Sequence, residues 1–245
     1  MELVPEPPWS RWRGHALVVG GGGIGRALLD ALAQQAPGLE LHLATRRPRS
    51  AAETPLDLCS DHQLQQLSHL ASTAWMPLRL VINTAGLLHG PGLSPEKRLS
   101  AVTRQQLEQS FAVNAYGPVL LAQAVMAALP REQPSHFASL SARVGSIGDN
   151  QLGGWYSYRA AKAAQNQLLR TLALEWRRRL PQCCVSLLHP GTTATDLSAP
   201  FRSGVAAATL FSPEQAAGYL LAVLAARNAA DSGRFWAWDG QAIPW

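Results

Sequence analysis

Lysine is nearly absent from this 245-residue chain: of 21 basic residues only Lys97 and Lys162 are lysines, the rest being arginines. Cysteine is scarce as well. Three residues, Cys59, Cys183 and Cys184, make no disulfide framework and fit no zinc-site spacing. The adjacent pair opens an apolar segment and reads as buried thiols. No uninterrupted apolar run is long enough to span a bilayer. The first residues, MELVPEPPWSRWRG, carry prolines and charges where a signal peptide needs an apolar core. These absences argue against a disulfide scaffold, a bound metal and a membrane span, and lead to the expectation of a cytoplasmic protein. The net charge is +5, yet the arginines are scattered apart from Arg46-Arg47 and Arg177–Arg179. That pattern reads as a solvated basic surface rather than a nucleic-acid or lipid interface. No internal repeat or low-complexity segment is seen.

What the chain does have is apolar residues, 47% of the total, enough for one large core. Residues 1–13 read as a proline-containing arm and 14–245 as a single domain. The organising stretch is HALVVGGGGIGRALLDAL, His15 to Leu32. An apolar strand runs from His15 to Val19, four glycines follow, and a helical pattern runs from Ile24 to Ala36. Gly20, Gly22 and Gly25 fall on the G-x-G-x-x-G spacing, with Gly23 and Ile24 between them. Such glycines allow a tight turn, close approach of backbone N–H groups to a pyrophosphate and close helix–strand packing. The first helical turn adds unpaired donors and a partial positive charge.

Further apolar runs predict strands at 39–45, 54–58, 78–83, 136–141, 184–189 and 233–239. Helical patterns lie between them at 61–72, 103–114, 118–129, 155–180 and 213–226. Asp61 is the expected N-cap of the first of these. Ser212-Pro213 starts the last, with serine as N-cap and proline at the first helical position. The Gly- and Pro-rich loop 86–95 and a mobile flap at 192–211 connect elements. Strands that alternate with helices and are apolar throughout, not at every second residue, predict an α/β fold: a doubly wound parallel sheet with helices on both faces.

Tyr158 and Lys162 lie four apart on the 155–180 helix and so share a face one turn apart. An ammonium there favours the phenolate and is expected to lower the tyrosine pKa. A phenol tuned in this way can give a proton to a carbonyl or take one from an alcohol.

With the glycine turn, these residues give the chain a resemblance to the short-chain dehydrogenase/reductase family, most like its C-factor and sniffer-type carbonyl-reductase branch. The motifs that carry it are YSYRAAKAAQN at 156–166, NTAG at 83–86, NAYGP at 114–118, HPGTTATDL at 189–197, RVGSIGDN at 143–150 and the aromatic C-terminal end. The resemblance implies an NAD(P)-dependent oxidoreductase of small carbonyl or alcohol substrates. Tyr158 would be the general acid/base, Lys162 would tune it and hold the nicotinamide ribose, and Asn114 would shape the site and hold a water. Asn83, Ala85 and Gly86 would line the adenine-ribose side, with Asp57 at the adenine amine beside Leu58. Pro190, Gly191 and Thr192 or Thr195 would hold the nicotinamide end. Pairing of the two long helical stretches implies a homo-oligomer, a dimer or tetramer.

The chain departs from the family in two places. The T-G-x-x-x-G-x-G turn is replaced by a shorter one, with Val18 and Val19 at its first two positions. The usual second serine of S-S-x-x-G is Ala142, in Ser141-Ala142-Arg143-Val144-Gly145. Ser141 is then the first choice for the catalytic serine, with Ser146 and Ser139 as alternatives. A missing hydroxyl keeps a second reading open, a dinucleotide-binding signalling or regulatory protein without useful turnover. The second strand ends in Ala44-Thr45-Arg46-Arg47 without an acid, and Glu40 is at its wrong end. An arginine there suits a ribose 2′-phosphate, so NADPH is the expected cofactor, with Arg46 the main contact, Arg47 a further one, and NAD(H) the alternative. Leu87, Leu88, Arg143, Trp155, Tyr156 and the segment 197–211 are the expected pocket lining.

Overall fold

The computed structural model describes residues 6–202, 206 and 209–245. In chain order the strands are β1 (Gly14–Val19), β2 (Leu39–Thr45), β3 (Thr54–Pro55), β4 (Leu78–Asn83), β5 (Ser135–Leu140), β6 (Cys183–His189), β7 (Thr192–Thr193), β8 (Leu210–Phe211) and β9 (Arg234–Ala237). The helices are α1 (Gly23–Gln35), α2 (Asp61–Ala74), α3 (Arg104–Phe111), α4 (Gly117–Val125), α5 (Tyr156–Arg179) and α6 (Pro213–Ala225). Seven strands form one parallel sheet in the order β3-β2-β1-β4-β5-β6-β9. The chain moves outward from β1 to β3, then returns to β1's other side at β4. That reversal opens a crevice at the carboxyl ends of β1 and β4, where this architecture takes its ligands.

The continuous apolar strands are explained by two cores, one per face. Leu17, Val19, Val81, Phe137 and Leu187 pack under α2, α4 and α5 with Leu67, Leu121, Leu169 and Trp176. Ala16, Val18, Leu80, Ile82, Ala138 and Leu188 pack under α1 and α6 with Leu28, Leu32, Leu220 and Leu224. Alternate side chains of each strand therefore enter opposite cores.

Several expected boundaries are corrected. The third and last strands are shorter, Thr54–Pro55 and Arg234–Ala237. Ser60, not Asp61, caps α2 by accepting from Gln63 N at 3.3 Å. Ser212 caps α6 as expected, in a capping box with Gln215. The segment 192–211 is not wholly irregular, because β7 and β8 pair in parallel within it. Residues 203–205 and 207–208 of that segment lie outside the described residues. The expected 103–114 helix ends at Phe111, and a π-helical turn, Ala112–Tyr116, leads into α4. The stretch Arg104–Ala128 is long and apolar enough by composition to cross a membrane, but half of its most apolar window is buried. Here α4 packs on α2 and α5 as a core helix.

The arm has a defined place. A 3-10 turn at Pro8–Arg11 buries Trp9 completely in the α1–α6 core. Trp12 stacks on His136 at 5.8 Å, with the Arg79 guanidinium 4.5 Å from its ring. The arm thus closes the amino end of the sheet and leaves the carboxyl end free.

Candidate active site

The glycine turn begins where β1 ends. Gly20 has φ +106°, and a Cβ there would lie 2.5 Å from Thr84 Oγ1. A Cβ on Gly25 would lie 1.9 Å from Gly20 O, so the helix can start this close to the strand only with glycine at that position. Thr84 locks the turn from the neighbouring strand, its hydroxyl donating to Val19 O at 2.9 Å and Gly20 O at 3.1 Å. A Cβ on Gly22 would meet nothing within 4 Å. Gly22 and Gly23 are exposed, and no side chain caps α1. An uncapped amino end facing open space, with room for an oxygen at van der Waals distance, fits a dinucleotide pyrophosphate. Thr195 Cγ2 lies 3.3 Å from the point where a Gly23 Cβ would be, so one of the two candidate threonines adjoins this turn.

Beside the turn, Asn83 accepts from Ala85 N at 3.1 Å and donates to Ser139 Oγ at 2.9 Å, which fixes the start of the 83–86 loop. Asp57 and Leu58 follow β3 at the same end of the sheet. Asp57 accepts from Cys59 N at 3.0 Å, and Leu58 is buried against Gly117. Arg46 and Arg47 follow β2 directly, are exposed, and form no ion pair among the described residues. Pro190 and Gly191 follow β6. Gly191 has φ +75°, and a Cβ there would strike Phe211 at 2.5 Å.

Asn114 stands in the π-helical turn, a device that turns one side chain inward without ending the helix. Its amide exchanges bonds with Leu87, accepting from N at 2.9 Å and donating to O at 2.7 Å, and also donates to Ser110 Oγ at 3.2 Å. Ser110 in turn donates to Ser157 O at 3.2 Å. Asn114 therefore ties the loop after β4 to the start of α5.

That start is set by residues which the sequence pattern did not single out. Glu96, only 3% exposed, accepts from Ser157 N at 3.1 Å and from the Ser157 hydroxyl. A carboxylate accepting from an amide in the first turn suits the helix dipole. Gly153, Gly154 and Trp155 all have positive φ, at 62°, 65° and 53°. For tryptophan this is a strained conformation, held by the Trp155 N bond to Glu96 O. It places the Trp155 ring edge-on to Tyr158, with centroids 6.3 Å apart, and to Phe201 at 5.1 Å.

Tyr158 is 8% exposed, and its hydroxyl has no hydrogen-bond partner among the described residues. Burial raises its pKa far above the usual phenol range. The expected lowering by a neighbouring ammonium is thus not seen in the protein alone: desolvation of the phenolate outweighs attraction. Lys162 Nζ is 5.8 Å from the Tyr158 ring centroid and donates to Leu140 O at 2.9 Å and Gln165 Oε1 at 2.8 Å. Burial lowers the Lys162 pKa to about 7. Gln165 is fully buried and also donates to Ser139 Oγ and Leu140 O. It links Lys162 to Asn83 through Ser139, and no spacing signal in the sequence marked it.

All three candidate serines are engaged by protein groups. Ser141 donates to Asn166 Oδ1 at 2.7 Å, Ser146 accepts from Asp149 N at 3.1 Å, and Ser139 accepts from Asn83 and Gln165. Ala142 brings no hydroxyl. Of the expected pocket lining, Leu87 and Leu88 border a cavity of about 10 Å³ beside Tyr158, with Leu93, Pro95 and Glu96. Tyr156 is 41% exposed, and Arg143 pairs outward with Asp149 at 2.7 Å. The cavity holds one water-sized sphere.

Comparison with known proteins fits this geometry. The family model described as short chain dehydrogenase matches residues 14–206. The chain is similar to the C-signal protein of Myxococcus xanthus, 34% identical over 170 residues, 69% of this chain and 93% of that protein. It is similar to the 1-hydroxy-2-glutathionyl-2-methyl-3-butene dehydrogenase of Rhodococcus sp. strain AD45, 31% identical over 195 residues, 79% and 80% of the two chains. In fold it is similar to the NADPH-bound carbonyl reductase from chicken fatty liver, with TM-score 0.81, 23% identity, and coverage of 96% of this chain and 100% of that one.

With only two lysines, the buried ammonium can be watched directly. In protein labelled with ε-13C-lysine, Lys97→Gln removes one resonance and so assigns the other to Lys162. That resonance is expected to titrate near pH 7. In Gln165→Leu, which removes an acceptor from the charged form, it is expected to titrate lower still. A Lys162 midpoint above 10 contradicts the burial described.

Proposed function

The chain belongs to the short-chain dehydrogenase family, and from that premise we propose that it is an NADP(H)-dependent carbonyl reductase in which Tyr158 protonates the substrate oxygen. That it is an NAD(P)-dependent oxidoreductase of small molecules follows from the family and from the dehydrogenase among its relatives. One observation carries the finer reading: an unpartnered, buried phenol with Lys162 against its ring, on a helix anchored beside the open glycine turn.

In this reading Gly22, Gly23, Ile24 and Gly25 offer backbone donors to the pyrophosphate, while Gly20, whose N–H is bonded to Ala44 O at 2.8 Å, shapes the turn. Asp57, Leu58, Asn83, Ala85 and Gly86 take the adenosine side. Lys162, Pro190, Gly191, Thr192 and Thr195 take the nicotinamide side, with Tyr158 between cofactor and substrate. A reduced nicotinamide held there would supply the hydride for the carbonyl carbon. Tyr158 keeps its proton at neutral pH because burial disfavours the phenolate, which suits a group that donates to an oxygen gaining charge. Lys162 then stabilises the phenolate left behind. Ser141, the expected polar contact to that oxygen, would first have to leave Asn166, and Asn114 acts as the bracket that holds the loop at Leu87.

The preference for NADP(H) rests on Arg46, exposed at the end of β2 with no acid beside it. A carbonyl substrate is supported by the apolar surround of Tyr158 and by the fold's likeness to the carbonyl reductase from chicken fatty liver. A regulatory protein with little turnover is the rival, favoured by Ala142 and by the likeness to C-signal.

Steady-state assay of a carbonyl panel with NADPH separates the two. Tyr158→Phe is expected to cut turnover by about 10²–10⁴-fold while the NADPH dissociation constant holds. Turnover absent from the unsubstituted protein, or unchanged in the variant, contradicts the proposal. Fluorescence titration is expected to give NADPH the tighter binding, with Arg46→Ala losing about 10–100-fold for NADPH and little for NADH. Equal losses for both cofactors would remove Arg46 from the 2′-phosphate.

A further inference from the structure

Glu40 lies at the far end of β2 from the crevice, and two histidines join it there. The parallel register sets His15 of β1 opposite Glu40 of β2. His42 is two residues further along β2, so all three side chains leave the same face of the sheet. His15 Nδ1 and His42 Nε2 are 3.0 Å apart. Glu40 Oε2 is 3.7 Å from the first nitrogen, and Oε1 is 3.9 Å from the second. The three ligand atoms therefore close a triangle within 4.8 Å.

A tetrahedral zinc ion about 2.0–2.1 Å from its ligands holds them roughly 3.3–3.4 Å apart. The nitrogens need to part slightly and the carboxylate to draw in by about half an ångström. Glu40 can do so, since its side chain is 69% exposed, while the imidazoles are 16% and 12% exposed and held in place. His42 lies flat on Trp75, with centroids 4.1 Å apart and planes 17° apart, which orients its ring.

We propose that His15, Glu40 and His42 form a binding site for a divalent transition-metal ion of the zinc class, with solvent water completing the coordination. Two nitrogens and a carboxylate oxygen are the donor set such an ion takes, and calcium or magnesium would demand more oxygen. Without the ion, the two imidazoles share one hydrogen bond. On binding, the donor ring carries its proton on its other nitrogen, so both lone pairs face the metal.

Sequence spacing looked empty of metal sites because the ligands come from two strands and include no cysteine. The site is at the opposite end of β1 and β2 from the glycine turn, so an ion there ties the two strands together and stabilises the fold without touching the cofactor.

The test uses the full chain after chelator treatment, equilibrium dialysis against zinc chloride with metal analysis, and thermal unfolding with and without zinc. One zinc per chain and a higher Tm are expected. His15→Gln and His42→Gln are expected to lose the ion and the Tm shift. Glu40→Gln is expected to bind more weakly, and His62→Gln, on exposed α2, to bind as the unsubstituted chain does. NADPH binding by each variant reports that it is folded. If His42→Gln does not fold, His15→Gln and Glu40→Gln decide. No stoichiometric zinc in the unsubstituted chain, or zinc retained with unchanged affinity in His15→Gln, overturns the proposal.

Discussion

The site depends on one row of backbone across the parallel sheet. Ala44, Val19, Asn83, Ser139 and Leu187 stand in register on β2, β1, β4, β5 and β6. Because every strand runs the same way, each releases its loop at the same end. The glycine turn leaves after Val19, the Asn83–Gly86 loop after β4, and Pro190-Gly191 after β6. The long helix is then fastened to this row by polar groups. Lys162 bonds Leu140 O, Gln165 bonds Ser139 and Leu140 O, and Asn83 bonds Ser139 from the other side. Each of these groups is buried and would cost about 1–3 kcal/mol if left unpaired, so α5 has little freedom to slide along the sheet.

The same burial sets the chemistry. A phenol and an amine enclosed by α5, β5 and the 87–96 loop are both driven towards their neutral forms. In the protein alone, desolvation wins over attraction between the two. Glu96 and Asn114 contribute by position rather than by reaction, one fixing the first turn of α5 and the other fixing Leu87.

Much of this was legible in the sequence, for identifiable reasons. Apolar runs without alternation gave the parallel sheet, because strands buried on both faces leave no polar side. The glycine spacing and the Tyr158–Lys162 pair were readable because each is local: one turn, one helical turn. What stayed hidden depends on contacts across the chain. The arm reads only as a proline-containing segment until Trp9 is seen enclosed in the core beneath α1 and α6. Gln165 is an ordinary helix former until β5 supplies its partners. Glu96 lies 61 residues from the serine it holds, in a loop whose composition says only that it turns. The π-helical turn at Asn114 leaves the helical periodicity nearly intact. The direction of the Tyr158 shift was misjudged because the sequence shows the nearby charge but not the depth of burial.

The central claim is that the Tyr158 phenol and the nicotinamide ring share one crevice. Nuclear Overhauser measurements on the NADPH complex, with tyrosine ring protons selectively labelled, test it most directly, since the chain has only four tyrosines. A cross-peak is expected between the nicotinamide C4 protons and the ring of Tyr158, with none to Tyr116 or Tyr219. Saturated cofactor with no contact to Tyr158, or with contact to another tyrosine in its place, would contradict the account.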